Sequence, residues 1–186
     1  MKNIPNILTT SRIILIPIFV LVFYLPFKWN YLACAVIFAL AAVTDWLDGY
    51  LARALSQVSP FGEFLDPVAD KLIVAVALVL IVSKPHMHFL AIPAAIIVGR
   101  EIVISALREW MAELGKRASV AVSFVGKFKT AVQLIALTIL IGYRPGQTDL
   151  WVAIVGYILI YIAAVLTLWS MYMYLKAAWP NLVVAK

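Results

Sequence analysis

The chain has 186 residues, 65% of them hydrophobic and only 13% charged, against roughly 25% charged in soluble domains. That balance excludes an ordinary solvated enzyme, and a single cysteine, Cys34 in an apolar run, excludes a disulfide framework and reads as a buried small hydrophobe. The net charge of +6 forms no separate soluble basic patch, so it points to loops facing anionic lipid rather than to nucleic acid.

Apolar runs throughout predict one all-α integral membrane domain over residues 1–186. Six spans are expected at about 12–27, 31–56, 63–83, 89–112, 121–142 and 149–175. At the N-terminus Lys2 and Arg12 precede the run Ile13–Phe27, as in a signal peptide. The run ends in Leu25-Pro-Phe-Lys-Trp-Asn30 without a small-residue cleavage site, so a retained first span after a short interfacial segment is expected. Lys84-Pro85 breaks the chain before the fourth span and Tyr143-Arg144-Pro145-Gly146 before the sixth.

Loop charge sets the orientation. Lys2, Arg12, Arg53, Lys116, Arg117, Lys127, Lys129, Lys176 and Lys186 fall on one side; only Lys28, Lys84 and Arg144 fall on the other. Nine against three puts the first side, with both termini, in the cytoplasm. Trp29, Trp151, Trp169 and Trp179 fall near span ends, as an interfacial aromatic belt requires.

Within this apolar frame, five of the nine acidic residues crowd into residues 45–70. Asp45 and Asp48 are three apart on the second span, and Asp66 and Asp70 are four apart on the third, so each pair shares a helix face. A short connection containing Ser56, Ser59, Pro60 and Gly62 allows the two helices to lie antiparallel, with their carboxylates converging. Ionised acids in hydrocarbon are costly and mark functional sites. Four together repel one another, and the simplest neutraliser is one or two divalent cations such as Mg²⁺. Gly49 and Ala52 leave room for a flat ligand or another helix, and Arg53, one turn on, suits bidentate phosphate contact. Isolated acids near helix ends are often solvated caps, small residues often pack helices, and a cation-coupled transporter uses intramembrane carboxylates too.

A second set of charges lies further along. Arg100 falls inside the fourth span, and Arg108, eight residues on, projects from roughly the same face. Lys127 and Lys129 are two apart and cannot share a face, so one is expected in a cavity and the other at the cytoplasmic surface. The plainer alternatives are ion pairing of Arg100 with Glu101 or Glu109, and headgroup contact for Lys116, Arg117 and Lys129. His86 and His88 fall on the far side and read as loop residues.

The pattern D-x-x-D-G-x-x-A-R-x8-G-x3-D-x3-D, met by Asp45, Asp48, Gly49, Ala52, Arg53, Gly62, Asp66 and Asp70, resembles at every fixed position the signature of the CDP-alcohol phosphotransferases. These integral membrane enzymes join a CDP-linked donor to an alcohol with release of CMP. The segments Asn3–Arg12, Asp66–Lys71 and Gly99–Ser119 resemble bacterial members whose donor is CDP-diacylglycerol and whose acceptor is sn-glycerol 3-phosphate. The resemblance implies a polar cavity open to the cytoplasm and two Mg²⁺ or Mn²⁺ ions held by Asp45, Asp48, Asp66 and Asp70. It implies Asp70 as general base, with Asn6, Thr9, Asp48, Gly49, Ala52, Arg53 and Gly62 around the CDP donor. Arg100, Arg108, Lys127 and Lys129 are then the candidates for the acceptor phosphate. A homodimer in a bacterial cytoplasmic membrane follows from the resemblance alone, and serine or an inositol phosphate remain alternative acceptors.

Overall fold

A computed structural model describes residues 4–55, 60–85, 87–113, 115, 124–146 and 148–184; for residues 4–9, 45–55, 60–64, 66, 124–125, 127 and 180–184 it describes the backbone alone. The described residues form six α-helices and no strands: α1 (Ile4–Tyr24), α2 (Asn30–Leu55), α3 (Pro60–Val82), α4 (Ala91–Glu113), α5 (Phe124–Gly142) and α6 (Leu150–Val184). A 3₁₀ turn, His88–Leu90, leads into α4. The elements follow the predicted spans closely, with two differences. The separate interfacial segment expected before the first span is the opening of α1 itself, because Pro5 falls in the first turn, where a missing N–H breaks no helical bond. At the other end α6 runs on to Val184, 35 residues in all.

Among the described residues two stretches, His88–Glu113 and Leu150–Trp179, are long and apolar enough to cross a membrane, and Thr10–Tyr24, Asn30–Thr44 and Phe128–Gly142 are shorter apolar helices. The outer surface suits hydrocarbon: Leu21, Val79, Phe89, Trp151 and Val165 are each more than 60% exposed. In water, so much exposed apolar surface would drive association.

Among the described residues the helices pack as a closed ring. α1 packs on α2, α2 on α5, α5 on α6, α6 on α4, α4 on α3, and α3 back on α1, with a further α3–α5 contact. The short α2–α3 connection therefore does not leave those helices to pair alone; α1 packs against both. Phe19, Phe38, Ile81, Leu137, Leu140 and Ile141 fill the principal core. At Gly156 a Cβ would stand 2.7 Å from Leu140 Cδ2, so α6 lies close against α5 there and a larger residue would require the Leu140 side chain to shift.

One end of the ring is tied by charge. Lys84, predicted as a loop cation, is 2% exposed. Its ammonium donates to the carbonyl oxygens of Leu140 (2.9 Å), Ile141 (2.6 Å) and Tyr143 (3.0 Å) and lies 4.1 Å from the Tyr31 ring centroid. The end of α5 carries carbonyls that lack intrahelical donors, and Lys84 satisfies them. At the same end Arg144 Nη1 donates to the Lys28 carbonyl at 2.6 Å, so the three cations assigned to one membrane side do gather there.

Candidate active site

Inside the ring lies a cavity of about 360 Å³. α1 contributes Arg12; α2 contributes Phe38, Ala41 and Ala42; α3 contributes Asp70 and Lys71; α4 contributes Glu101 and Arg108; α5 contributes Lys129, Thr130 and Gln133. An apolar recess of about 450 Å³ between α3 and α4 shares Lys71, Val74 and Glu101 with it.

Asp70 is the described carboxylate on the α3 wall. Its side chain is 44% exposed, so it is available to a ligand, and it forms an ion pair with Arg12. Arg12 is 1% exposed. Such a charge is tolerable in an apolar bundle only with a partner close by.

The opposite wall is basic and built around one carboxylate. Glu101 Oε1 accepts from Arg100 Nη1 at 2.9 Å and from Lys129 Nζ at 3.2 Å. Arg100 Nη2 also donates to Ser170 Oγ at 3.2 Å, and Arg108 Nη2 donates to the Tyr174 hydroxyl at 3.0 Å. Both guanidinium groups lie over the Tyr174 ring, Arg100 at 5.5 Å and Arg108 at 5.2 Å from its centroid, a favourable cation–π placement. Lys71 donates to the Ser105 hydroxyl, which donates onward to the Glu101 carbonyl at 2.7 Å. Gln133 also lines the cavity. It is 5% exposed and its buried Oε1 accepts no hydrogen bond.

A phosphate-bearing ligand fits this arrangement: a cavity lined by four cations with an accessible carboxylate, Asp70, among them. The structure brings Asp70, Arg108 and Lys129 onto one cavity. Arg100 does not line it; it is buried behind the wall in the ion pair with Glu101 that the sequence offered as its plainer alternative. Of the two α5 lysines, Lys129 lines the cavity and is 3% exposed, so burial removes it from the headgroup surface. The side chains of Asn6, Thr9, Asp45, Asp48, Gly49, Ala52, Arg53, Gly62, Asp66 and Lys127 lie outside the described residues, as do Lys116 and Arg117 entirely. Their helices are described: Asn6 and Thr9 open α1, the residues from Asp45 to Arg53 end α2, Gly62 and Asp66 open α3, and Lys127 opens α5.

Sequence reasoning missed the cavity roles of Arg12, Lys71, Glu101 and Gln133, and the supports Ser170 and Tyr174. Spacing could have found some of them. Arg12 follows Asn6 and Thr9 at intervals of three, Gln133 follows Lys129 by four, and Ser170 and Tyr174 are four apart on a mostly apolar helix.

The sequence model of the CDP-alcohol phosphatidyltransferases matches residues 2–169. The chain belongs to that family. Proteins of Shigella flexneri serotype 5b (strain 8401) and Escherichia coli (strain K12) are each 58% identical to it over 180 residues, 97% of this chain and 97% of theirs. A Pseudomonas fluorescens protein is 59% identical over 181 residues, 97% of this chain and 92% of its own. All three bear the name CDP-diacylglycerol–glycerol-3-phosphate 3-phosphatidyltransferase. As a member of the family the chain is a transferase of phospholipid synthesis. Its eight-position aspartate motif falls on α2 and α3, the two helices that pack on α1.

Proposed function

We propose that this chain transfers the phosphatidyl group of CDP-diacylglycerol to sn-glycerol 3-phosphate, yielding phosphatidylglycerol phosphate and CMP. The observation that carries this reading is the cavity that sets Asp70 against Arg108 and Lys129. A dianionic acceptor placed on the two cations presents its free hydroxyl toward the carboxylate. Relatives of this name that match 97% of the chain support the choice of substrates.

In this reading the acceptor hydroxyl oxygen attacks the β-phosphorus of the donor. The bond from that phosphorus to the bridging oxygen breaks, CMP leaves with the electron pair, and Asp70 takes the hydroxyl proton. Arg53 holds donor phosphate, while Gly49, Ala52 and Gly62 leave space beside the cytidine and Asn6 and Thr9 give it polar contacts. Arg108 and Lys129 hold the acceptor dianion, and Lys127 draws it in from the cytoplasmic side. Arg100 acts through Glu101, fixing the carboxylate that orients Lys129.

Among the described residues no three His, Cys, Asp or Glu are gathered into a cluster. The motif nevertheless fits a divalent metal by its donor chemistry: Asp45, Asp48, Asp66 and Asp70 offer the hard carboxylate oxygens that Mg²⁺ and Mn²⁺ prefer, and Asp70 is open to the cavity. Bound metal would supply charge neutralisation for the pyrophosphate and the departing CMP oxygen. The reading includes a homodimer, which rests on the family resemblance alone, in the cytoplasmic membrane with both termini in the cytoplasm, an orientation supported by the loop-charge asymmetry.

The test is purified protein given labelled CDP-diacylglycerol, Mg²⁺ and a panel of acceptors. CMP release that requires both metal and sn-glycerol 3-phosphate is expected. Release with serine or an inositol phosphate instead would change the acceptor, and ion flux without CMP release would identify a transporter.

A further inference from the structure

Gln133 is a polar side chain that nothing in the transfer chemistry above uses. It lies one turn beyond Lys129 on the same face of α5, about 6 Å further along the helix axis. It lines the cavity, whose wall also carries the apolar side chains of Phe38, Ile73 and Leu134. Its side chain is 5% exposed, and Oε1 has no hydrogen-bond donor. A buried amide oxygen left without a donor is destabilising, and native structures keep few of them. Since Gln133 lines the cavity, a ligand there can supply the missing donor.

The chemistry of that donor can be narrowed. A cation or an acid is not called for, because an amide is neutral and the cations of the site stand elsewhere. A hydroxyl fits, since it donates to Oε1 and accepts from the amide nitrogen. With the acceptor phosphate on Lys129 and Arg108 and its reacting hydroxyl toward Asp70, the remaining hydroxyl of the acceptor lies between these ends. We propose that Gln133 is a specificity-determining residue that reads this non-reacting hydroxyl, selecting three-carbon polyol monophosphates over phosphates that lack the middle hydroxyl. The proposal rests on the transfer reading above and adds what it leaves open, the origin of acceptor selectivity.

The experiment compares sn-glycerol 3-phosphate with 3-hydroxypropyl phosphate, which lacks only the middle hydroxyl, by kcat/KM for CMP release. A site built to bond a hydroxyl rejects the analogue strongly, because its own polar group is left unpaired. The wild type should prefer glycerol 3-phosphate by at least about tenfold. Gln133→Met, nearly isosteric, should shrink the preference below about threefold by slowing the glycerol substrate alone, with the KM for CDP-diacylglycerol unmoved. Gln133→Glu keeps an acceptor oxygen and should keep the preference, while its charge raises the KM of both dianions. A wild-type preference under about threefold overturns the proposal without any variant. So does an equal loss on both acceptors in Gln133→Met. Should that variant fail to fold, loss of the preference in a folded Gln133→Glu overturns it instead. If the wild type releases CMP with neither phosphate, the transfer reading has failed, and the proposal with it.

Discussion

Arg108 offers the sharpest separation of acceptor binding from everything else. Its guanidinium is held twice by one residue, through the Tyr174 hydroxyl at 3.0 Å and over the Tyr174 ring at 5.2 Å, and it lines the cavity. Arg108→Ala removes a charge-assisted contact to the acceptor phosphate, worth about 1.5–3 kcal/mol. At 1.36 kcal/mol per factor of ten, that is a loss of about 10- to 150-fold in kcat/KM for glycerol 3-phosphate. Arg108 is exposed to the cavity, so the lower end is expected. Tyr174→Phe keeps the ring and loses one hydrogen bond, about 1 kcal/mol or fivefold. Arg108→Lys keeps the charge but loses the stacked plane and should fall between the two. Initial rates of CMP release, with each substrate varied at saturation of the other, read all three. A loss carried by the donor KM alone, or a larger effect from Tyr174→Phe than from Arg108→Ala, would refute the placement of the acceptor.

Asp45→Asn, Asp48→Asn and Asp66→Asn should each nearly abolish CMP release while the protein still inserts and purifies; chelator should silence the wild type, and Mg²⁺ or Mn²⁺ should restore it. Asp70→Asn should lose roughly 10² or more in kcat, the scale of general-base removal, with donor binding intact; substantial rescue by excess metal would make Asp70 a ligand only. Glu101→Gln strips the shared counter-charge from Arg100 and Lys129. With Glu101 28% exposed, the expected cost is about 2–3 kcal/mol, less than for a fully buried pair, seen as a Tm fall of about 4–12 °C in detergent. Lys84 is drawn by burial from the ordinary 10.5 to about 7, with Cys34 opposing the shift. The folded protein therefore binds fewer protons than the unfolded chain between about pH 7 and 10.5, so this residue's contribution to stability rises with pH across that window. Lys84→Met should flatten that rise and, by orphaning three carbonyls, lower Tm at pH 7; an unchanged pH profile would show that Lys84 does not titrate in the folded state.

The helices were legible because they are long apolar runs, two of them closed by strong breaks at Lys84-Pro85 and Tyr143–Gly146, and runs of that length have few alternatives. Their arrangement was not. That α1 packs against both α2 and α3 could not be read, because packing of apolar faces far apart in sequence decides it, and a uniformly apolar helix has no marked face to read. The same limit hid Arg12. Counted by position it was a loop charge, yet it is buried against Asp70, 58 residues away. Lys84 was misread for the same reason, since only the end of α5 makes a buried ammonium tolerable there. The aspartate motif was readable because its spacing is local to two helices, and Arg108 because it carries a charge where apolar sequence surrounds it. Gln133, neutral and isolated, gave no such contrast.

Charge balance in the cavity joins these observations. The described ionisable residues on its wall are Arg12, Lys71, Arg108 and Lys129 against Asp70 and Glu101: four cations and two carboxylates, a net charge of +2. That is equal and opposite to a phosphate monoester dianion. Glu101 also serves Arg100 behind the wall, so its place in a site proposed to bind an anion is as the shared counter-charge of two buried cations. Without it Lys129 and the neighbouring Arg100 would be two buried cations sharing no counter-charge, costly in an apolar bundle until ligand arrived. With it the empty cavity can fold, and enough positive charge remains to draw in the dianion. Asp70 is governed by the same balance. An acceptor bearing a double negative charge would be repelled by a bare carboxylate, and Arg12, tied to Asp70 from α1, offsets that repulsion while leaving the carboxylate 44% exposed to the hydroxyl it must meet. In the proposed reading Arg108 and Lys129 would take the phosphate, and the Arg12–Asp70 pair would take the hydroxyl at the other end of the acceptor.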